Sequence, residues 1–267
     1  MQYPRLESVA KKLYPTTMNI CLFEPDEIGR PLAADDERAV HIKKILHKGV
    51  GDTFAAGIIG GQAGTATITK IDGAIHFTFT PQSDGKPLFP LHMIIGFPRP
   101  IQLKRLLRDM AALGVSSVRL CGTELGEKSY LKARLSEPAE VYKMLLDGTV
   151  QAGSTHVPQP MFYNTLAECL DGLDENRSQA QEARPLLLAL DNVNPAQSLG
   201  SFLQANPPAG RPVFAAIGSE RGWTNAERSR LEERGFTRVG MGKRIMRTET
   251  ASTVSASIIL AQMGVLG

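Results

Sequence analysis

From residue 91 onward, apolar runs of strand length alternate with segments of helical spacing, and this alternation leaves the chain few folds to adopt. Residues 91–96, 117–121, 186–191 and 213–217 are apolar almost throughout, whereas 101–113, 139–151, 195–203 and 224–234 repeat their apolar positions at helical intervals. Strands that are apolar on both faces and separated by helices pair into a mostly parallel sheet covered on both sides. The expected class is α/β. A polar, acidic stretch at 170–184 reads as an exposed loop.

The first 85 residues follow a different pattern. Segments 19–23, 53–59, 65–71 and 74–80 read as short strands bounded by Gly-Asp, Gly-Gly and Asp-Gly turns, the spacing of a small barrel, and a helix is expected at 36–47 with Val40, Ile42, Ile45 and Leu46 as its apolar positions. Residues 81–90 carry three prolines and have the composition of a linker, so two domains are expected, 1–85 and 86–267.

Composition removes several functional classes. Hydrophobic residues make up 42%, charged residues 21%, and the net charge is +3, which alone does not call for a polyanion as partner. Cys21, Cys121 and Cys169 lie far apart with no CxxC or Cys/His spacing, which points to reduced thiols in the cytoplasm and to no metal site. The opening MQYPRLESVAKKLYP lacks the apolar core of a signal peptide, and no apolar run reaches the roughly 20 residues of a membrane span.

Two glycine turns dominate the C-terminal stretch. The first follows strand 213–217 and reads GSERGW; a short helix follows, with Thr224 and Glu227 spaced as a capping box and Gly235 as its stop. The second, 240–247, combines two glycines, three basic residues and three large apolar ones. Adjacent turns at strand ends are where an open α/β sheet binds ligands. A Walker A loop ending at Lys243 would need glycine where Thr237 stands and Ser or Thr where Arg244 stands, and no GxGxxG follows strand 91–96.

The pair GSERGWT and GMGKRIMRTETA resembles the signature of the SPOUT-class, RsmE-type methyltransferases that modify N3 of a uridine in 16S ribosomal RNA. Gly218, Glu220, Gly222, Trp223 and Thr224 match G-P-E-G-G-F/W-[ST]; Gly242, Arg244, Ile245, Arg247, Glu249, Thr250 and Ala251 match L-G-x-R-I-L-R-x-E-T-A. Weaker similarity covers the whole chain, including His41 and the Ile45-Leu46 pair of a PUA-like N-terminal barrel that would bind RNA. The resemblance implies a trefoil knot in the C-terminal domain, S-adenosylmethionine held in the knotted cleft, and a homodimer, with Val254, Ile258 and Ile259 of the last helix serving either that interface or packing within the domain. By the same carry-over, Leu190, Gly218, Glu220, Gly222, Met241, Gly242, Ile245 and Met246 form the cofactor wall.

Methyl transfer to a uridine nitrogen needs the imide N3 to lose its proton and the two partners to be aligned. Arg244 and Arg247 are the candidates to stabilise charge on the uracil oxygens, because a guanidinium offers a rigid fork of donors, and Glu249 is the candidate to orient an arginine or accept the proton. RNA contact falls to Arg99, Lys104, Arg105 and Arg108, with no acid among 99–108, and to Lys128, Lys132 and Arg134, with Tyr130 between them as a stacking candidate. The partner expected is small-subunit ribosomal RNA or the small subunit itself. Competing readings are a methyltransferase for another RNA site and a non-catalytic RNA-binding or assembly protein that keeps the knot. The chain departs from the pattern at Ser219 (proline in the family), Arg221 (glycine), Asp109 and Ala112 (lysine and glutamate), Val150 and Ser154 (glutamate and arginine), and His47 (arginine).

Overall fold

The structure, a computed structural model, describes residues 19–177 and 184–266. The N-terminal stretch read above as lacking the apolar core of a signal peptide, and residues 178–183 of segment 170–184, lie outside the described residues. Two compact units are present, Met1–Leu88 with Tyr142–Val157, and Phe89–Val141 with Pro158–Gly267. Among the described residues no helix is long and apolar enough to cross a membrane.

The first unit contains β1 (Cys21–Phe23), β2 (Leu32–Ala33), α1 (Glu37–Lys44), β3 (Thr53–Ile58), β4 (Ala63–Ile71) and β5 (Ala74–Ser83). One sheet runs β1-β3-β4-β5-β2, with β3, β4 and β5 an antiparallel meander and β1 parallel to β3. Alternation along the strands turns Phe54, Ala56, Ala66, Ile68, Ile75 and Phe77 onto one core with Phe23 and Ile42. Arg38 of α1 is buried at its edge, where its guanidinium makes five hydrogen bonds of 2.8–3.0 Å to Glu27, Asp36 and the Leu22 carbonyl. Burial opposes ionisation of Glu27, yet the hydrogen bonds from Arg38 hold its carboxyl below the usual range. Helix α1 is shorter than the expected 36–47, and Ile45 and Leu46 are exposed beyond its end instead of packing inward. The expected linker shrinks as well, because β5 runs to Ser83 and the next strand starts at Phe89.

The second unit follows in the order β6 (Phe89–Gly96), α2 (Pro100–Leu113), β7 (Val115–Cys121), α3 (Lys128–Leu131), α4 (Pro138–Gln151), β8 (Gln159–Tyr163), α5 (Leu166–Arg177), β9 (Leu186–Leu190), β10 (Gln197–Ser198), α6 (Leu199–Ala205), β11 (Val213–Ile217), α7 (Asn225–Glu233), β12 (Thr237–Gly240) and α8 (Thr248–Gln262). Its seven strands form one sheet, β10-β12-β9-β11-β6-β7-β8, with every pairing parallel. The mixed α/β class expected from strand-helix alternation is observed. The division between units falls inside α4, whose residues from Tyr142 group with the first unit, as does the turn at 152–157; Val150 lies in that unit's core, and Thr155 donates to the Gly61 carbonyl at 2.6 Å.

Two expectations fail in this unit. The supposed loop 170–184 begins as helix, since α5 extends to Arg177 and buries Leu166, Cys169, Leu170 and Leu173 at helical spacing. Helix 195–203 starts later, at Leu199, behind the short strand β10. Cys121 and Cys169 share this core, and the neighbouring Cys169 thiol together with burial pushes the Cys121 thiol well above the usual range. The capping box of α7 forms as expected: Thr224 Oγ1 accepts from the Glu227 amide at 3.1 Å and Glu227 Oε2 from the Thr224 amide at 2.9 Å.

Candidate active site

Parallel strands end together, so the loops leaving β9, β11 and β12 meet at one edge of the sheet. The turn after β11 closes tightly: the Gly222 amide donates to the Ser219 carbonyl at 2.8 Å, and Gly222 has φ +73°, the left-handed region that favours glycine. Gly218 is required by space instead, because a Cβ there would lie 2.8 Å from the Gly222 backbone carbon. Trp223 is buried beneath the turn and donates its indole N–H to the Leu190 carbonyl at 3.3 Å, tying β11 to the end of β9.

Between these loops lies a cavity of about 260 Å³. All eight residues expected as the cofactor wall line it: Leu190, Gly218, Glu220, Gly222, Met241, Gly242, Ile245 and Met246. Arg244 lines it too. Ile245 stands at 84% exposure, an apolar side chain open to cover by a ligand. Gly242, at φ +99°, has open space where a Cβ would project. The lining mixes apolar side chains with the charged Asp191, Glu220, Arg221 and Arg244, which suits a ligand that has both apolar and charged parts.

Arg247 and Glu249 are not part of this cavity. They line a neighbouring hollow with Arg99, Gln102 and Glu220, which touches the first cavity through Glu220. Arg99 Nε approaches Glu220 Oε1 at 3.3 Å. The remaining basic candidates divide into two groups. Lys104 and Arg105 are exposed and Arg108 half-buried on α2, whereas Lys128 and Lys132 line a cleft near the ends of β7 and β8; Arg134 is exposed close by.

Residues that the sequence reading passed over also shape the site. Asp191, at the end of β9, lines the cavity and accepts from Arg228 Nε of α7 at 2.6 Å, with Arg238 of β12 at 3.6 Å. It is the first charged residue after five apolar ones, the signal that marks the ligand-facing end of a parallel strand. Gly96 ends β6 directly under the first turn, where a Cβ would come within 2.5 Å of the Ser219 amide nitrogen. Asp109, at the position where the resembled pattern has lysine, accepts from Thr253 Oγ1 at 2.9 Å and joins α2 to α8.

Comparison with known proteins gives a consistent answer. Residues 84–260 match the family model described as RNA methyltransferase domain. The chain is 40% identical over 250 residues to the ribosomal RNA small subunit methyltransferase E of Treponema pallidum, covering 91% of each. It is 30% identical over 245 residues to ribosomal RNA small subunit methyltransferase E 1 of Borreliella burgdorferi, covering 91% of this chain and 98% of that one. In fold it is similar to a Neisseria gonorrhoeae ribosomal RNA small subunit methyltransferase E solved with S-adenosyl methionine, at a TM-score of 0.71 and 23% identity, over 92% of this chain and 98% of that one. A probable rRNA-methyltransferase from Porphyromonas gingivalis gives a TM-score of 0.73 at 19% identity, over 92% and 99%.

Proposed function

We propose how this chain, which belongs to the ribosomal RNA small subunit methyltransferase E family, does its work: it is an S-adenosylmethionine-dependent RNA methyltransferase acting on 16S ribosomal RNA, with N3 of a uridine as the acceptor. The observation that carries the site assignment is the convergence of eight separately placed residues on one cavity at the ends of β9, β11 and β12. The lining fits the cofactor, with Leu190, Met241, Ile245 and Met246 offering apolar surface to an adenosine and Asp191 and Glu220 offering charge to an ammonium group.

When bound, S-adenosylmethionine supplies a methyl group on a sulfonium. The chain's own residues hold and prepare the acceptor. The Arg244 and Arg247 guanidiniums donate to the uracil oxygens and stabilise the anion left when N3 loses its proton. Glu249, mostly buried beside Arg247, orients that arginine and takes the N3 proton on its carboxylate. Arg99, Lys104, Arg105, Arg108, Lys128, Lys132 and Arg134 neutralise phosphates.

The finer architecture belongs to the same reading. A trefoil knot is supported by the order β12-β9-β11, in which the chain leaves β11, forms α7 and returns on the far side of β9. A PUA-like role in RNA binding for the first unit is supported by its curled five-stranded sheet and by Lys43, Lys44, Ile45 and Leu46 exposed at the end of α1. For the homodimer, Val254 and Ile258 of α8 remain half-exposed, whereas Ile259 is buried in its own unit. Activity is assigned to the cytoplasm, where ribosomal RNA is met. Nucleoside mass mapping of ribosomal RNA from cells lacking the protein should show loss of 3-methyluridine from the small-subunit RNA; an unchanged profile would refute the proposed activity.

A further inference from the structure

The turn at 219–221 lines not only the cofactor cavity but also a second hollow of about 170 Å³, with Phe97, Arg99 and Tyr130 on its other sides. Phe97 continues from that hollow into a cleft of about 970 Å³ at the C-terminal ends of β7 and β8, lined by Lys128, Lys132, Arg230, Phe162 and Tyr163. The cleft and the cofactor cavity have no lining residue in common.

Three features give these recesses a ligand chemistry. Ser219 is 8% exposed, and its hydroxyl is enclosed without a hydrogen-bond partner. Such a group is destabilising until something supplies the partner. Next, the two acids of the cleft are engaged: Glu227 accepts the Glu124 amide at 2.9 Å and caps α7, and Glu124 Oε2 accepts from Thr224 Oγ1 at 2.7 Å. Lys128, Lys132 and Arg230 form no ion pair with any described residue, so three cations stand against two engaged carboxylates. Finally, the half-buried Phe162 of edge strand β8 lines the cleft, whereas its neighbour Tyr163 faces the other side of the strand, packs on the core and accepts from Arg119 Nη1 at 2.7 Å.

We infer that hollow and cleft form one track for single-stranded RNA, an inference that rests on the RNA methyltransferase reading of the neighbouring cavity. The nucleotides on one side of the target uridine cross the turn at 219–221, where the Ser219 hydroxyl and Arg221 hydrogen-bond the first of them. They pass Phe97 and Tyr130 and enter the cleft, where a base stacks on Phe162 and phosphates meet Lys128, Lys132 and Arg230. The small volume of the hollow admits one unstacked base and not a duplex, and aromatic platforms beside cations are how proteins hold single strands. Ser219 and Arg221 stand where the resembled pattern has proline and glycine, so this part of the track is the chain's own.

The test uses the full chain with S-adenosylmethionine present and short single-stranded RNAs in which a uridine is extended on one side only, read by fluorescence anisotropy. Extension on one side should tighten binding and extension on the other should not, and a duplex of the same sequence should bind more weakly. The triple substitution K128A/K132A/R230A should remove the gain and lower the slope of log affinity against log salt by about 2, the single-strand value for three lost phosphate contacts. Its cofactor affinity, measured by calorimetry, should stay at the wild-type value. Ser219→Ala should weaken RNA binding without lowering Tm. Failure of the wild type to bind S-adenosylmethionine would strike the methyltransferase reading itself. Normal cofactor binding with wild-type RNA affinity and salt slope in the triple variant, or gains from extension on both sides alike, would overturn the track alone. A Ser219→Ala variant that loses cofactor affinity and keeps RNA affinity would remove Ser219 from it.

Discussion

Gly242 and Arg247 lie five positions apart, yet the structure asks different things of them. Gly242 serves through backbone conformation: at φ +99° a β-branched residue is strained even with open space around it, so the turn that lines the cavity would have to shift. Gly242→Val should therefore abolish S-adenosylmethionine binding in a calorimetric titration. Arg247 stays out of that cavity and faces the hollow beside Glu249, so Arg247→Ala should leave cofactor affinity unchanged and lower turnover about a hundredfold, the usual scale for losing one donor to developing charge. Equal loss of binding in both variants would show that the two roles were assigned wrongly.

At the level of elements, α7 sets the distance between the two turns, and its start rests on Glu227. Thr224→Ala removes one cap contact and should cost about 1 kcal/mol in urea unfolding. Glu227→Ala removes the reciprocal cap bond and also leaves the Glu124 amide without its 2.9 Å partner, so it should cost clearly more; equal midpoints for the two variants would mean that the link to Glu124 carries no energy. The capping box was legible in the sequence because it is local, as were the four central strands, which burial on both faces keeps mostly apolar, β9 and β11 without a break. Strand β8 was not legible: it lies at the sheet edge with a half-buried face, and QPMFY carries a proline and a glutamine. The start of α5 was hidden for another reason. Gly172 and the acids after it read as a breaker, whereas Leu166, Cys169, Leu170 and Leu173 already had the spacing of a buried helical face. At the site, the glycines and apolar wall could be read from the two turns, but Asp191 and Gly96 act on residues far along the chain, and only the parallel register brings them there.

For the whole molecule, the polar cluster inside the second unit ties stability to pH. His92 of β6 stacks on Phe214 of β11 at 4.5 Å, and its Nδ1 lies 2.9 Å from Ser117 Oγ of β7. Arg119, buried on β7, stands 5.7 Å from the centre of the same Phe214 ring. Burial first, and the charge of Arg119 second, push the His92 pKa down to about 4 from 6.5. The folded chain thus keeps His92 neutral in a range where the unfolded chain protonates it. The stability this provides is full above pH 6.5 and is lost as pH falls from 6.5 to 4, by about 3 kcal/mol at most. Trp223 is the chain's one tryptophan and is buried in the same unit, so its fluorescence reports unfolding of that unit even where the first unit unfolds separately. Urea midpoints read by Trp223 should fall between pH 6.5 and 4 in the wild type. His92→Phe keeps an aromatic ring against Phe214 and removes the titrating group, so its midpoints should decline less over the same window. An identical decline in the two proteins would show that other groups, and not His92, set the acid sensitivity of the unit that holds the candidate site.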